Sequence, residues 1–523
     1  MMQLNRTTLF LLLVLLLVSL LAACSGGDQM LLAEYNRDGE ADIFLAQTGA
    51  EESEWQTVAE NAERTFIFSG ELAAFVPETN RIILWYIDGN DLRIEHMEMG
   101  NDEPTEVLEV NSDSSVFGHY DVDPFVIYLT ETEDFDDYRC YISLDGGEAQ
   151  RVARSSRCLT NENGVVVIDS DNEALSVTLV SLDGEDETVI LDEVEDISGA
   201  VRYNADLTTF AYMELGRRDA QLFLIQPGDE AGEEVGDEFA IIDSFGFLPD
   251  GETLFAIAKP DEDDDEVGLY INATGDALLE ATDIFLRGLS DDGDHAVFFA
   301  EDRGDTAVYV YSIKDETLTE VVEEEDVSLV GFVNEDRFVL KTINGNDETL
   351  LSVSSDGSEV VELLDTDDYE IQFVYKNLAA EQLLVYLKDE DNTDNLFVTG
   401  WEAEDGYFLL EEWYNITMLN ASDAYLVFYG SEDDGDDVAL FSIPWEMDAS
   451  EIELDDDADF GYRSVFFTEN GRSIYYTALD NFLEDTEVRL APVDGSEKPE
   501  GLYRDMLLLD VSWRGEPNFQ VMR

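Results

Sequence analysis

Between Gly288 and Ser312 the chain alternates short apolar runs with tight polar turns: Asp291-Asp292-Gly293, then Ala296–Ala300, then Asp302-Arg303-Gly304-Asp305, then Val308–Tyr311. β-Branched and aromatic residues between Gly/Asp punctuation predict strand, hairpin, strand. One hairpin cannot bury its own apolar faces, so such a unit must recur and stack. It recurs. The first turn of the unit is found at Asp123, Asn163, Asp206, Asp250, Asp292, Glu335, Ala379, Ser422 and Asn470, at intervals of 40, 43, 44, 42, 43, 44, 43 and 48 residues. Each turn leads into a second strand (Phe125–Leu129, Thr253–Ala258, Gln382–Leu387), a hairpin and a third strand (Tyr138–Ser143, Gly268–Asn272, Asn395–Thr399). A short fourth segment such as Thr317–Val322 precedes the next unit. No helix-length window carries a 3.6-residue period, so the expected class is all-β.

The spacing is that of a four-stranded propeller blade, about 40–45 residues. Phe247-Leu248-Pro249-Asp250-Gly251-Glu252-Thr253-Leu254-Phe255 resembles the core of WD40-like repeats of the TolB type, also called PD40 repeats. Echoes at Asn204-Ala205-Asp206, Ser290–Gly293 and Thr468–Gly471 fall in the same register. The resemblance implies a β-propeller. It implies little about activity, because this architecture carries many unrelated functions.

Two ends of the sequence fit one blade. Met30–Tyr35, the turn Arg37-Asp38-Gly39 and Asp42–Ala46 read as second and third strands lacking a first, while Leu507–Trp513 reads as a first strand lacking partners. Chain end should therefore complete chain start, which leaves no open sheet edge. About eleven four-stranded blades result. Rings of four to eight blades are usual, so two adjacent rings are expected rather than one, with no linker composition to mark the crossing.

Upstream, Met1–Arg6 is followed by the apolar run Leu9–Leu21, too short for a membrane span and suited to the core of a signal peptide. Leu21-Ala22-Ala23-Cys24 resembles a bacterial lipobox, with Ser25-Gly26-Gly27 behind it. The resemblance implies a signal peptide over 1–23, acylation of Cys24, a lipidated tether over 24–29 and a propeller region over 30–523. Several acyl chains anchor a domain stably where one is marginal. The expected location is the cell envelope, facing outside the cytoplasm.

Charge narrows the partners. Against 122 Asp+Glu stand 27 Lys+Arg, a formal charge of −95. Phosphate backbones are bound through Lys and Arg, so nucleic acid is excluded as a partner. Of three cysteines, Cys140 opens a third strand and Cys158 begins the next unit's first strand; the spacing admits a disulfide or two unpaired thiols.

Enzyme signatures are missing from the sequence: no Gly-x-Ser-x-Gly elbow, no His-Glu-x-x-His, no phosphate-cradling glycine loop. Arg202, Arg287, Lys376 and Arg463 fall in or beside first strands, which line a propeller's channel, as does His119. Fixed cations in a concave site suit carboxylates, so an acidic glycan or peptide is the expected ligand; neutralisation of acidic loops is the alternative. Acidic hairpins suggest hard-cation chemistry, and Asp389, Asp391 and Asp394 form the best Ca²⁺ candidate, against plain solvated loops. No other cofactor is expected. The reading is a lipid-anchored binding or scaffolding module for a protein or glycan partner without catalysis. The rival is a glycan lyase or hydrolase whose residues converge in a channel without a linear motif.

Overall fold

The computed structural model describes residues 29–522, apart from 36–39, 48–53, 64–72, 77–78, 100, 102, 123–124, 135–136, 156, 162, 172–173, 185, 196, 217–218, 291–292, 335, 379–380, 403–405, 433–437, 457–463, 480–485 and 513–518. Cys24 and Arg463, together with the turn positions Asp123, Asp292, Glu335 and Ala379, lie outside the described residues. Among those described, the chain is built of antiparallel strands and contains no α-helix. It divides into two compact units, 1–112 with 457–516, and 113–456 with 517–523.

The larger unit holds eight four-stranded meanders, each with strands in chain order. Their first strands are Ser115–Val122, Arg157–Asn161, Ile197–Tyr203, Ile241–Phe247, Asp283–Leu289, Asp326–Asn334, Tyr369–Asn377 and the second half of Tyr407–Ala421. That last strand has 15 residues because it serves twice, pairing as a fourth strand through Phe408 and Leu410 and as a first strand through Met418 and Ala421.

Burial explains why the sequence pattern is strongest in the second strands. Leu254–Lys259, His295–Asp302 and Gln382–Asp389 are each buried over five successive residues, so both faces are covered. The cover is the neighbouring module. One cluster joins Phe255, Ile257 and Leu269 to Ala296, Phe298 and Tyr311, and another joins Val297, Phe299 and Val310 to Phe338, Leu340 and Val353. Phe255 and Phe298 meet edge to face at 5.8 Å. Fourth strands such as Thr317–Glu324 and Glu233–Phe239 are mostly exposed or half-buried and carry much of the acidic load, where carboxylates stay hydrated.

The recurrent first turn fastens consecutive modules. Asn204 Nδ2 donates to the Gly251 carbonyl at 3.3 Å, and Asn163 Nδ2 to the Ala205 carbonyl at 3.2 Å. Asn377 Nδ2 reaches the Ser422 carbonyl in the same way, at 3.2 Å. Within the turns, Asp250 Oδ1 accepts from the Glu252 and Thr253 amides, and Gly251 takes a φ of 68°, where a Cβ is strained.

The smaller unit holds three modules. Leu507–Val511 pairs with Gln29–Tyr35 in the register Met30↔Val511, Leu31↔Asp510, Leu32↔Leu508 and Ala33↔Leu507, so the late strand completes the early module. A second module runs Ala73–Val76, Arg81–Asp88, Asp91–Glu98 and Thr105–Asn111; the third runs from Phe466–Phe467 to Glu500–Arg504. The described modules thus number eleven, of β-propeller blade type.

Candidate functional site

In the larger unit the first strands approach one another: Ile197–Tyr203 lies against Ile241–Phe247, and Asp283–Leu289 against Asp326–Asn334. At Gly288 a Cβ would stand 2.7 Å from the Phe332 ring and 3.0 Å from Leu329 Cδ2, so the side chains of the next first strand pack directly over the glycine. Packing there draws the modules together.

Arg202, Arg287, Lys376 and His119 all sit on these first strands. Arg202 is exposed, with its guanidinium 5.7 Å from the centre of the Phe245 ring in the next module and a bond to the Val201 carbonyl at 3.2 Å. Arg287 is exposed and stacks over Phe285 at 4.7 Å and Phe299 at 6.0 Å. Lys376, half-buried, donates to the Phe332 carbonyl at 3.5 Å. His119 stacks on Tyr128 at 4.7 Å. Partial desolvation holds its pKa below the usual imidazole value, with the nearby Asp121 charge opposing.

Several cations meet carboxylates: Arg93 with Asp88 and Glu109, Arg139 with Glu131, Lys341 with Glu348, Arg337 with Glu359 and Glu402. Others, among them Lys314, Arg472 and Lys498, are exposed without such a pair among the described residues; Arg202 and Arg287 differ from these in lying on first strands against aromatic rings. Among the described residues Arg202 and Arg287 have no carboxylate within 4.0 Å, although the chain carries 122 acidic side chains. Aromatic faces hold them in place instead, an arrangement that leaves the guanidinium forks open to a carboxylate.

The first strands also expose apolar side chains that sequence reasoning missed. Phe117 is 62% exposed and Phe373 51%, with Ile241 and Leu289 near 38% and 39%. In sequence they are indistinguishable from core residues, since strand alternation does not say which face a neighbouring module covers. The first strands thus expose cations held against rings and, at other positions, apolar side chains.

The acidic hairpin at 389–394 is arranged differently. Asp389 accepts from the Thr393 amide at 2.8 Å and from its hydroxyl. Despite burial, which acts the other way, these bonds hold its carboxyl below the usual range. Asp394 is 2% exposed and receives Lys388 Nζ at 3.1 Å and the Ile416 amide at 2.8 Å. Asp391 alone of the three faces solvent. No group of three His, Cys, Asp or Glu side chains able to hold a metal gathers among the described residues.

Cys140, on the third strand of one module, and Cys158, on the first strand of the next, are joined by a disulfide with Cα atoms 6.5 Å apart. No helix among the described residues is long and apolar enough to cross a membrane.

The strand order defines a chain of β-propeller blades whose first strands carry exposed cations and apolar side chains. No family model matches the chain, and no curated protein matches it. Among solved structures, a eukaryotic initiation factor aligns with 94% of this chain and 99% of its own at 10% identity and a TM-score of 0.42. One of two prolyl endopeptidases aligns with 64% of this chain and 55% of its own at 10% identity, TM-score 0.34. A putative TolB from Agrobacterium tumefaciens aligns with 45% of this chain and 88% of its own at 15% identity, TM-score 0.24. At such scores these likenesses carry no argument; the blade assignment rests on strand order and inter-module packing.

Proposed function

We propose that the chain is a lipid-anchored binding module of the cell envelope, tethered through Cys24 and facing outside the cytoplasm, whose first-strand face takes an acidic glycan or an acidic protein segment. The observation that carries this reading is the pair Arg202 and Arg287, exposed, stacked on phenylalanine rings and without a carboxylate partner among the described residues. In so acidic a chain, any mobile surface cation has carboxylates within reach. Two guanidinium groups kept from them by ring stacking are positioned for a carboxylate brought from outside. Lys376, on another first strand of the same unit, extends the proposal; Arg463 lies in the other unit, outside the described residues.

The site discriminates by fixed donors, and its strength falls with salt because both cations are exposed. Each exposed carboxylate–guanidinium contact contributes about 0.2–1 kcal/mol. Removing two then weakens a polyanion by roughly two- to thirtyfold, more where several contacts act together. The test is calorimetric titration of polygalacturonate and of poly-glutamate into the chain starting at Ser25, against its Arg202→Ala/Arg287→Ala variant. Binding of at least one polymer, weakened severalfold in the variant, is expected. Equal affinity of both proteins would remove the arginine face from the proposal. Anchoring is tested separately: Cys24→Ser should move the protein from the membrane fraction to the soluble envelope fraction.

A further inference from the structure

Residues 149–161 reverse the charge of the chain around them. They include Arg151, Arg154 and Arg157 and no carboxylate, in a sequence with 122 Asp+Glu against 27 Lys+Arg. Within this stretch Gln150–Ser155 is the fourth strand of the first module in the larger unit, and no described strand pairs with its outer edge. Every other fourth strand described carries at least one carboxylate, from Glu280 in Leu279–Ala281 to four in Glu187–Glu195. Charged edges keep further strands away, and carboxylate edges repel acidic segments most strongly. Gln150–Ser155 has no such defence against an acidic strand.

Backbone register gathers the basic positions. Arg154 stands opposite Arg139 and Arg151 opposite Tyr141, with a register shift between Cys140 and Tyr141. Arg139 and Tyr141 are two apart and share a sheet face. The bulge therefore brings positions 151 and 154, three apart in sequence, to that same face. Glu131, opposite Arg139 on the second strand, is 3% exposed and already engaged. It accepts from Arg139 Nη1 at 3.1 Å, Tyr141 Oη at 2.7 Å and Ser114 Oγ at 3.0 Å. Arg151 is exposed and has no carboxylate within 4.0 Å among the described residues. Val152 packs toward the next module, with Val126, Tyr128, Ile142 and Val165, which anchors the strand.

We propose that the outer edge of Gln150–Ser155 is a docking site for an extended acidic segment of a partner protein, which adds to this sheet as a further strand with carboxylates against Arg151 and Arg154. The edge supplies a row of unpaired backbone groups, which fits an extended peptide better than a free polyanion. The guanidinium groups supply the selection, since they pair with carboxylates in a fixed fork. A second copy of this chain is the poorer fit, because each copy carries a formal charge of −95 and the two repel. This site goes beyond the first-strand reading: it lies on the opposite edge of its sheet from the first strand Ser115–Val122 and involves neither Arg202 nor Arg287.

The probe is a dye-labelled synthetic octapeptide alternating glutamate and threonine, titrated into the chain starting at Ser25 and into its Arg151→Glu/Arg154→Glu variant, read by fluorescence polarisation. Saturable binding to the unaltered chain, weakened about tenfold in the variant, is expected. The bound peptide should also slow amide hydrogen exchange over 150–155, as a paired edge requires. Equal affinity of the two proteins, absence of binding, or exchange over 150–155 that the peptide leaves unchanged overturns the proposal. Should the double charge reversal alter the near-ultraviolet circular dichroism, Arg151→Gln decides: a loss of about two- to fivefold is expected, and equal affinity overturns the proposal. The Arg202→Ala/Arg287→Ala protein, whose edge arginines are intact, should keep peptide binding and protection of 150–155. Loss of both there assigns the peptide to the first-strand face and overturns this site, while persistence with unchanged polyanion affinity counts against the first-strand face alone.

Discussion

Asn204 is the residue through which the turn-and-clasp architecture can be measured most directly. It is 7% exposed, and its side chain makes four hydrogen bonds. Oδ1 accepts from the Thr208 and Thr209 amides at 3.0 and 3.1 Å, closing the turn. Nδ2 donates to Thr208 Oγ1 at 2.9 Å and, across the module boundary, to the Gly251 carbonyl at 3.3 Å. Thr208 is exposed, so water replaces what its groups lose on substitution. Thr209 and Gly251 are half-buried and pay more fully for an absent partner. Taking about 1 kcal/mol for each of those two bonds, Asn204→Ala should destabilise by about 2 kcal/mol. Asn204→Asp keeps the acceptor for the amides and forfeits the donor to Gly251, so about 1 kcal/mol is expected. Urea unfolding followed by tryptophan fluorescence and far-ultraviolet circular dichroism together gives both values, provided the two probes coincide. Measurement in 1 M salt screens the added carboxylate from its acidic neighbours. The order expected is alanine below aspartate below wild type. An aspartate variant as stable as wild type would show that the inter-module bond contributes nothing, and the clasp would have to be abandoned.

The Cys140–Cys158 disulfide closes a loop of 18 residues across two modules, so Cys140→Ala/Cys158→Ala should cost about 3 kcal/mol in the same urea assay. Reductant added to the wild-type protein should reproduce the loss, and an unfolding midpoint that ignores reductant would refute it. Asp356 accepts from the Ser354 hydroxyl and from the Ser358 amide and hydroxyl, which bring its pKa down to about 2 from the usual 3.8. A carboxyl with a depressed folded-state pKa stabilises above its unfolded value and loses that contribution as pH falls. Asp356→Asn should therefore narrow the gap to wild type between pH 4 and 2. Melting temperatures that differ by the same amount at pH 6 and pH 2 would contradict this.

How much of this was legible in the sequence depends on which side of a module a residue occupies. Second strands are covered on both faces, so runs such as Ala296–Ala300 are apolar without interruption and were found with their turns. The closing pairing of Leu507–Val511 with Gln29–Tyr35 was legible for the same reason, as two incomplete halves of one repeat. The module from Ala73 to Asn111 is missing from the recurrent turns because Pro77-Glu78-Thr79-Asn80 lacks the Asp-Gly or Asn-Gly pair that marks the turns at Asn163, Asp250, Asp292 and Asn470. Leu207 shows the opposite failure. It occupies the position of Gly251, Gly293 and Gly471 and has a φ of 56°, which local rules reserve for glycine. Its side chain is 3% exposed in the cluster with Phe210 and Val201. Burying a leucine contributes about 1.5–3 kcal/mol, enough to offset a left-handed residue at about 1–2 kcal/mol. The division between units after Asp456 falls inside the one interval of 48 residues, although nothing in composition marks it. First strands were read only in part. Their cations could be placed by register, but the exposure of Phe117 and Phe373 depends on how far neighbouring modules overlap, which no single strand encodes. The strand Phe519–Val521 is three residues long, below the length at which alternation is a signal at all. The parts of this chain hardest to read from sequence are therefore those that packing leaves uncovered, because only buried positions impose a periodic apolar pattern on the residues that fill them.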